Sequence, residues 1–208
     1  MGRRRREDAA MTRERVLASA WQVIRERGAH CVTLEEVART IGMTRGAIYG
    51  HFRSRAELFR ALLTDAEVEI SLRLARCDAD APGQLERLLA ALLDGDALAP
   101  HANLLSAVVQ HRCTEDCELC PLRAHVLQRA EYACERLRSW LPDPQRANLL
   151  LAHLWGLLSA QSLWLVPSSL AHCVAPLARL YAGADLRLAS LPCASVATAG
   201  RAAVRDTP

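Results

Sequence analysis

The chain has 208 residues, 51% of them hydrophobic, and carries 26 basic against 23 acidic side chains for a net charge of +3. That length suffices for one sizeable core or two small ones. Residues 1–60 hold 13 arginines and 7 acids, a net of +6, while residues 61–208 hold 13 arginines and 16 acids, a net of −3. This division excludes a packaging protein that is basic throughout, and fits a DNA reader joined to a module that does not touch DNA.

Arg3–Arg6 are followed by Glu7 and Asp8 with no apolar stretch, so the run is expected to be a flexible basic arm and not a secretory leader. A first helix is predicted from about Asp8 to Arg27, ending at Gly28, with Val16, Leu17, Ala20, Trp21, Val23 and Ile24 forming its inward stripe. Residues 33–55, TLEEVARTIGMTRGAIYGHFRSR, then read as a short helix, a glycine turn and a second short helix. Thr33 can cap the first of these, with Glu36 reaching back to the cap, and Leu34, Val37, Ala38 and Ile41 share one face. Gly42 suits the turn and Thr44 can cap the second helix. Such a pair is a helix-turn-helix, whose second helix enters the major groove. The second helix offers Thr44, Arg45, Tyr49 and His51, with Ala47, Ile48 and Phe52 as its chief apolar residues.

Ser54 and Glu57 form another capping pair, and Leu58, Leu62, Ala66, Ile70 and Leu74 recur every four residues, so a fourth helix should run past residue 74. Asp78–Gly83 and Asp94–Pro100 read as loops around a helix from Gln84 to Leu93. Further helices are predicted over His101–Arg112, Pro121–Leu141, Pro144–Val166 and Ser169–Leu188, the third of them capped by Asp143. No Asp, Glu, Lys or Arg occurs between Ala147 and Ala178, and Leu149–Val166 is nearly long enough to cross a bilayer. Asn148, His153, Ser159, Gln161 and Ser162 interrupt it, so the reading is a helix buried between its own domain and a second subunit. The tail after Leu191 is rich in Ala, Ser, Thr and Gly and is expected to be disordered.

The run TRERVLASAWQVIRERG followed by TLEEVARTIGMTRGAIYGHFRSRAELFRALL resembles the N-terminal domain of the TetR family of one-component repressors. LLSAVVQHRC and LWGLLSAQSLWLVPSSL are similar to the ligand domain of its AcrR-like subgroup, which represses multidrug efflux pumps. Gly50, where a larger aromatic is usual, and the cysteine-rich segment after Arg112 depart from the common pattern. The resemblance implies an all-α fold: a three-helix DNA-binding domain over residues 10–70 and a helical effector-binding and dimerisation domain over 71–190, ahead of the tail at 191–208. It also implies a cytoplasmic homodimer that needs no cofactor, binds a pseudo-palindromic double-stranded DNA operator and no membrane, and is released by a small molecule.

Arg45 is the candidate for bidentate contact with guanine, and Thr44, Gly46 and Tyr49 accompany it on the same helix. Thr33 with the free N–H groups of its helix start, His51, Arg53 and Arg55 are candidates for phosphate. An effector pocket is expected around His101, Leu105, Val109, His111, Trp155, Leu158, Gln161 and Trp164. Eight cysteines without an export signal argue for reduced thiols. His111, Cys113, Cys117 and Cys120 give H-x-C-x3-C-x2-C, open to a thiophilic metal, a thiol switch or plain packing. In the switch reading Cys120, beside Pro121 at a helix start, is the expected nucleophile and Cys117 or Cys113 its partner. An enzyme is disfavoured: His111 and Cys113 have no Asp or Asn to orient the imidazole, and no phosphate loop, nucleophile elbow or paired carboxylates occur.

Overall fold

The structure is a computed structural model that describes residues 2–75, 83–93, 98–112, 117–141, 143, 145–163, 165–166 and 169–182. Among these residues every regular element is helical, as the sequence pattern predicts. Helix α1 (Gly2–Arg27) starts ahead of the expected Asp8, so Arg3–Arg6 form its first turns and not a flexible arm. Arginine is a good helix former, and no glycine or proline separates the run from the amphipathic stretch it precedes. At the other end Gly28 takes φ 87°, a backbone that side chains other than hydrogen resist, and turns the chain into a short 3-10 segment, Ala29–Cys31.

The helix-turn-helix comes next as α2 (Leu34–Thr40) and α3 (Arg45–Tyr49). Helix α4 (Arg55–Ala75) continues past residue 74 as expected, with Leu58, Leu62 and Ala66 buried along its inner edge. Its start is held on both sides: Ser54 Oγ accepts the Glu57 N–H at 3.3 Å, and the Glu57 carboxylate accepts the Arg53 N–H at 2.7 Å. Then come α5 (Gln84–Leu93), α6 (Ala99–Val109), α7 (Cys120–Trp140), α8 (Arg146–Ser162) and α9 (Ala171–Ala182). Helix α6 begins earlier than predicted, because Pro100 sits in its first turn, and it also ends earlier, with Gln110 as its C-cap. The Asp143 carboxylate meets the start of α8 by accepting the Gln145 N–H at 3.0 Å. Helix α8 stops at Ser162 instead of Val166, where the Leu165 N–H folds back to the Ala160 carbonyl at 3.0 Å. The expected end of the last helix at Leu188 and the tail at 191–208 lie outside the described residues.

Two apolar cores result. The first gathers Val16, Ala20, Val23 and Ile24 of α1 with Val37 of α2, Ile48 of α3 and Leu58, Phe59 and Leu62 of α4. It also takes in Leu104 and Val108 of α6 and Leu122 and Val126 of α7, so the helix-turn-helix and part of the C-terminal bundle share one interior. The second core joins α5, the end of α7, α8 and α9 through Leu89, Leu137, Leu150, Leu154 and Leu177. Large rigid cores of this kind move as blocks, so displacement in one part of either is felt throughout it. Among the described residues no helix is long and apolar enough to cross a membrane.

Candidate DNA interface and regulatory sites

Local chemistry builds the helix-turn-helix. Thr33 Oγ1 accepts the Glu36 N–H at 3.1 Å and so caps α2. The expected return bond from Glu36 to the cap is absent among the described residues. Its carboxylate instead bonds Arg39 at 2.6 Å and Arg27 of α1, tying α2 to α1, because two guanidinium groups outcompete one amide. Helix α2 ends with the Gly42 N–H on the Arg39 carbonyl at 3.3 Å and the Met43 N–H on the Ala38 carbonyl at 2.8 Å. That double closure requires a left-handed residue between, and Gly42 has φ 68°. Thr44 Oγ1 then accepts the Ala47 N–H at 3.2 Å and starts α3.

Helix α3 buries Ile48 completely, with Phe52 just beyond it, and turns the rest outward. Thr44, Arg45, Gly46, Tyr49 and Arg53 are exposed and His51 is half-buried. Ala47 is exposed too, contrary to its expected inward role, since only one face of so short a helix meets the core. The outward side chains are linked to one carboxylate that sequence reading missed. Glu35 of α2 accepts the Tyr49 hydroxyl at 2.8 Å and lies 3.5 Å from Arg45, whose guanidinium stands over the Tyr49 ring at 5.6 Å. Its own backbone N–H, the Tyr49 hydroxyl and the charge of Arg45 hold the Glu35 carboxyl below the usual carboxylate value. From the other side Arg13 stacks on Phe52 at 4.2 Å and donates to the His51 carbonyl at 3.4 Å, pinning the end of α3 to α1. Arg45 thus stands beside the hydroxyl of Tyr49, with Thr44 at the start of the same helix and Arg53 exposed just beyond its end.

Arg55 is placed differently from the expected phosphate contact. Its Nη2 donates inward to the Ala29 carbonyl at 3.0 Å and to the His30 carbonyl at 3.4 Å, and its guanidinium lies over Phe59 at 4.7 Å. Burial pushes its pKa down from the ordinary arginine value. The reason is geometric: Arg55 opens α4, and the first turn of a helix packed on α1 faces the 3-10 segment, not the solvent. The same residue is also held through its N–H, which Asn103 Oδ1 of α6 accepts at 2.7 Å.

Among the described residues the expected effector side chains fall in several packing environments. His101 stacks on Trp21 at 4.6 Å between α6 and α1, Leu105 and Val109 pack against the first core, and Leu158 packs against the second. Gln161 is buried, Trp155 is half-buried, His111 faces a cysteine, and Trp164 lies outside the described residues. A surface groove of about 420 Å³ lies between α5 and α9, lined by Glu86, Ala90, Ala91, Ala171, Val174 and Ala175, of which Glu86, Ala90, Ala171 and Ala175 are exposed. Arg73 of α4 reaches its wall, donating to the Ala91 carbonyl at 3.2 Å.

At the junction of α6 and α7, His111 Nε2 is 3.1 Å from Cys117 Sγ, which is 3.8 Å from Cys120 Sγ. The Leu119 N–H, followed by His111, lowers the Cys117 thiol pKa. The Cys117 sulfur, just ahead of the helix, therefore has surroundings that favour its thiolate, with the expected nucleophile Cys120 beside it. Cys113 lies outside the described residues, and among those described no group of three or more His, Cys, Asp or Glu is placed to hold a metal ion.

Residues 16–62 match the family described as bacterial regulatory proteins, tetR family. Over 175 residues, 76% of this chain and 83% of the relative, the chain is 33% identical to the HTH-type transcriptional repressor BepR of Brucella suis biovar 1. The chain belongs to the TetR family. It is accordingly a DNA-binding transcriptional regulator and not an enzyme. It is also 33% identical over 128 residues to the HTH-type transcriptional regulator TtgR of Pseudomonas putida, a match spanning 59% of this chain and 60% of that protein. Its fold resembles the crystal structure of NalD, the secondary repressor of the MexAB-OprM multidrug efflux pump in Pseudomonas aeruginosa. That similarity has a TM-score of 0.61 at 24% identity and covers 86% of this chain and 99% of NalD.

Proposed function

We propose that this TetR-family regulator represses efflux genes as a homodimer on a pseudo-palindromic operator and leaves it when a small organic molecule binds. In this reading residues 10–70 hold the duplex and residues 71–190 bind the effector and pair the subunits. Arg45 reads guanine, with Thr44 and Tyr49 beside it, Gly46 allows the duplex to come close, and Thr33, His51 and Arg53 hold phosphate. Glu35 orients Arg45 and Tyr49 before the duplex arrives. The name of NalD, a repressor of a multidrug efflux pump, supports the choice of target. Support for pairing comes from apolar side chains left in solvent on α8 and in the turn that follows it: Leu149 is 51% exposed, Leu163 61% and Leu165 74%.

The observation that carries the proposal is the anchoring of α4 at both ends. Its first residue, Arg55, holds the Ala29 carbonyl just ahead of α2, and near its far end Arg73 holds the Ala91 carbonyl in the wall of the α5–α9 groove. A helix of 21 residues spans about 31 Å at 1.5 Å per residue, and transmits displacement along its axis. A ligand that spreads α5 from α9 therefore pulls α4 and shifts the 3-10 segment that positions α2 and α3. The groove has an alanine and valine lining with one carboxylate, Glu86, away from which Arg73 turns to the Ala91 carbonyl, and in this reading Glu86 meets the positive charge of an aromatic molecule.

Titrating operator complexes with a fluorescent aromatic cation tests this. The cation should displace DNA from the native protein, bind more weakly to Glu86→Gln, and bind normally but release DNA poorly with Arg73→Ala. Equal response of all three proteins would overturn the proposed site and linkage.

A further inference from the structure

We propose that Cys117 and Cys120 form a peroxide-responsive dithiol that gives this regulator a second input, separate from the organic effector. The geometry is that of a pair ready to close. The Cys120 N–H bonds the Cys117 carbonyl at 3.0 Å, a four-residue turn that brings the two Cα atoms within about 7 Å. Disulfides span Cα separations of about 4.4–6.8 Å. The sulfurs are 3.8 Å apart, so closing to about 2.05 Å needs side-chain rotation and a small adjustment of the turn, not refolding. Both cysteines are half-buried, which leaves a peroxide room to reach them.

The surroundings divide the roles. Cys117 faces His111 at 3.1 Å and accepts N–H groups from the start of α7, so its thiolate is the attacking species. That thiolate attacks the O–O bond of a hydroperoxide, ROOH, forming Cys117–SOH and releasing RO⁻, which takes up a proton as ROH. The Cys120 thiol then attacks the sulfenic sulfur, the S–O bond breaks, and the hydroxyl leaves as water with the Cys120 proton. The two thiols lose two electrons in all, and the peroxide gains them.

Closure reaches the DNA-reading helices through shared packing. Drawing the Cys117 sulfur to Cys120 takes it away from His111 at the end of α6. Arg123, one turn into α7, donates to the Val109 carbonyl at 3.1 Å and locks α6 to α7. Its neighbours on α7, Leu122 and Val126, lie in the same core as Val16, Ile48 and Phe59. A shift in the first turn of α7 is therefore a shift in the block that carries α3, and oxidation should weaken operator binding.

The test uses full-length reduced protein treated with hydrogen peroxide, then alkylation and fragmentation mass spectrometry, with operator binding measured in parallel. A Cys117–Cys120 disulfide is expected, with a loss of operator affinity of about tenfold or more that dithiothreitol reverses. Cys117→Ser should slow the reaction of this segment at least about tenfold, as loss of the attacking thiolate requires. Cys120→Ser should stop at Cys117–SOH, trapped by dimedone. Thermal melting of both serine variants guards against misfolding, and the dimedone adduct reports Cys117 reactivity whether or not DNA is bound. A disulfide made instead with Cys113, a peroxide reaction unaffected by Cys117→Ser, or an oxidised protein that binds operator as well as the reduced one would each overturn the proposal. The effector linkage is judged separately, because the aromatic cation should still release DNA from Cys120→Ser.

Discussion

Arg55→Ala separates a structural arginine from a phosphate-binding one. The native side chain makes a bond of 3.0 Å to the Ala29 carbonyl, a weaker one of 3.4 Å to the His30 carbonyl, and a stacking contact of 4.7 Å with Phe59. A hydrogen bond to a charged donor contributes about 1.5–3 kcal/mol and a cation–π contact about 0.5–1 kcal/mol. Against these stands the burial that lowers the Arg55 pKa, together with its Nε, buried without a protein partner. The balance is a loss of about 2 kcal/mol, or about 4–8 °C in Tm for a chain of this size. Differential scanning calorimetry measures the first quantity. Operator titrations over a range of salt measure the second: the slope of log K against log salt should be unchanged, whereas removal of a phosphate contact lowers it by about 1 per half-site. An unchanged Tm together with a reduced slope would refute the inward assignment.

Gly46→Ala should leave the free protein intact, since a Cβ there meets nothing within 4 Å, and should stabilise α3 by about 0.5–1 kcal/mol. Operator affinity should nonetheless fall, and a more stable protein with unchanged affinity would remove Gly46 from the interface. Bonds from Arg39 and then Arg27 hold the Glu36 carboxyl below its ordinary value, so it stabilises the fold at neutral pH and stops doing so as the pH falls through that lowered value. Chemical denaturation should accordingly show Glu36→Gln less stable than the native protein at pH 7, with the gap closing in acid; a gap that is constant with pH would contradict this. Leu149→Arg with Leu165→Arg should convert a dimer to monomers by analytical ultracentrifugation and weaken operator binding, while dimers that persist would move the interface elsewhere.

What the sequence disclosed and what it withheld divide by distance along the chain. Thr33 with Glu36, Gly42 after Thr40, and Thr44 with Ala47 act within three or four residues, so their capping and turn roles are visible in the letters. Arg55 meets its partner 26 residues away, Asn103 meets Ala29 at 74, and Arg73 meets Ala91 at 18. Arg55 sits in a run of exposed basic residues and carries no local mark of its inward turn. Glu35 is separated from Tyr49 by 14 residues and reads simply as an acidic residue at a helix start. An effector site is hard to read from the letters for a related reason. Apolar periodicity identifies which faces are buried, but not which of them leave space between.

The central claim is that the outer face of α3, with Arg45 foremost, reads base sequence. Selection of binding sites from a randomised duplex pool, run side by side with native protein and Arg45→Ala, tests it most directly. The variant should lose about 1–3 kcal/mol of affinity for the native operator and accept any base at one position in each half-site, with binding to random duplex little altered. Identical selected sites for the two proteins would contradict the account.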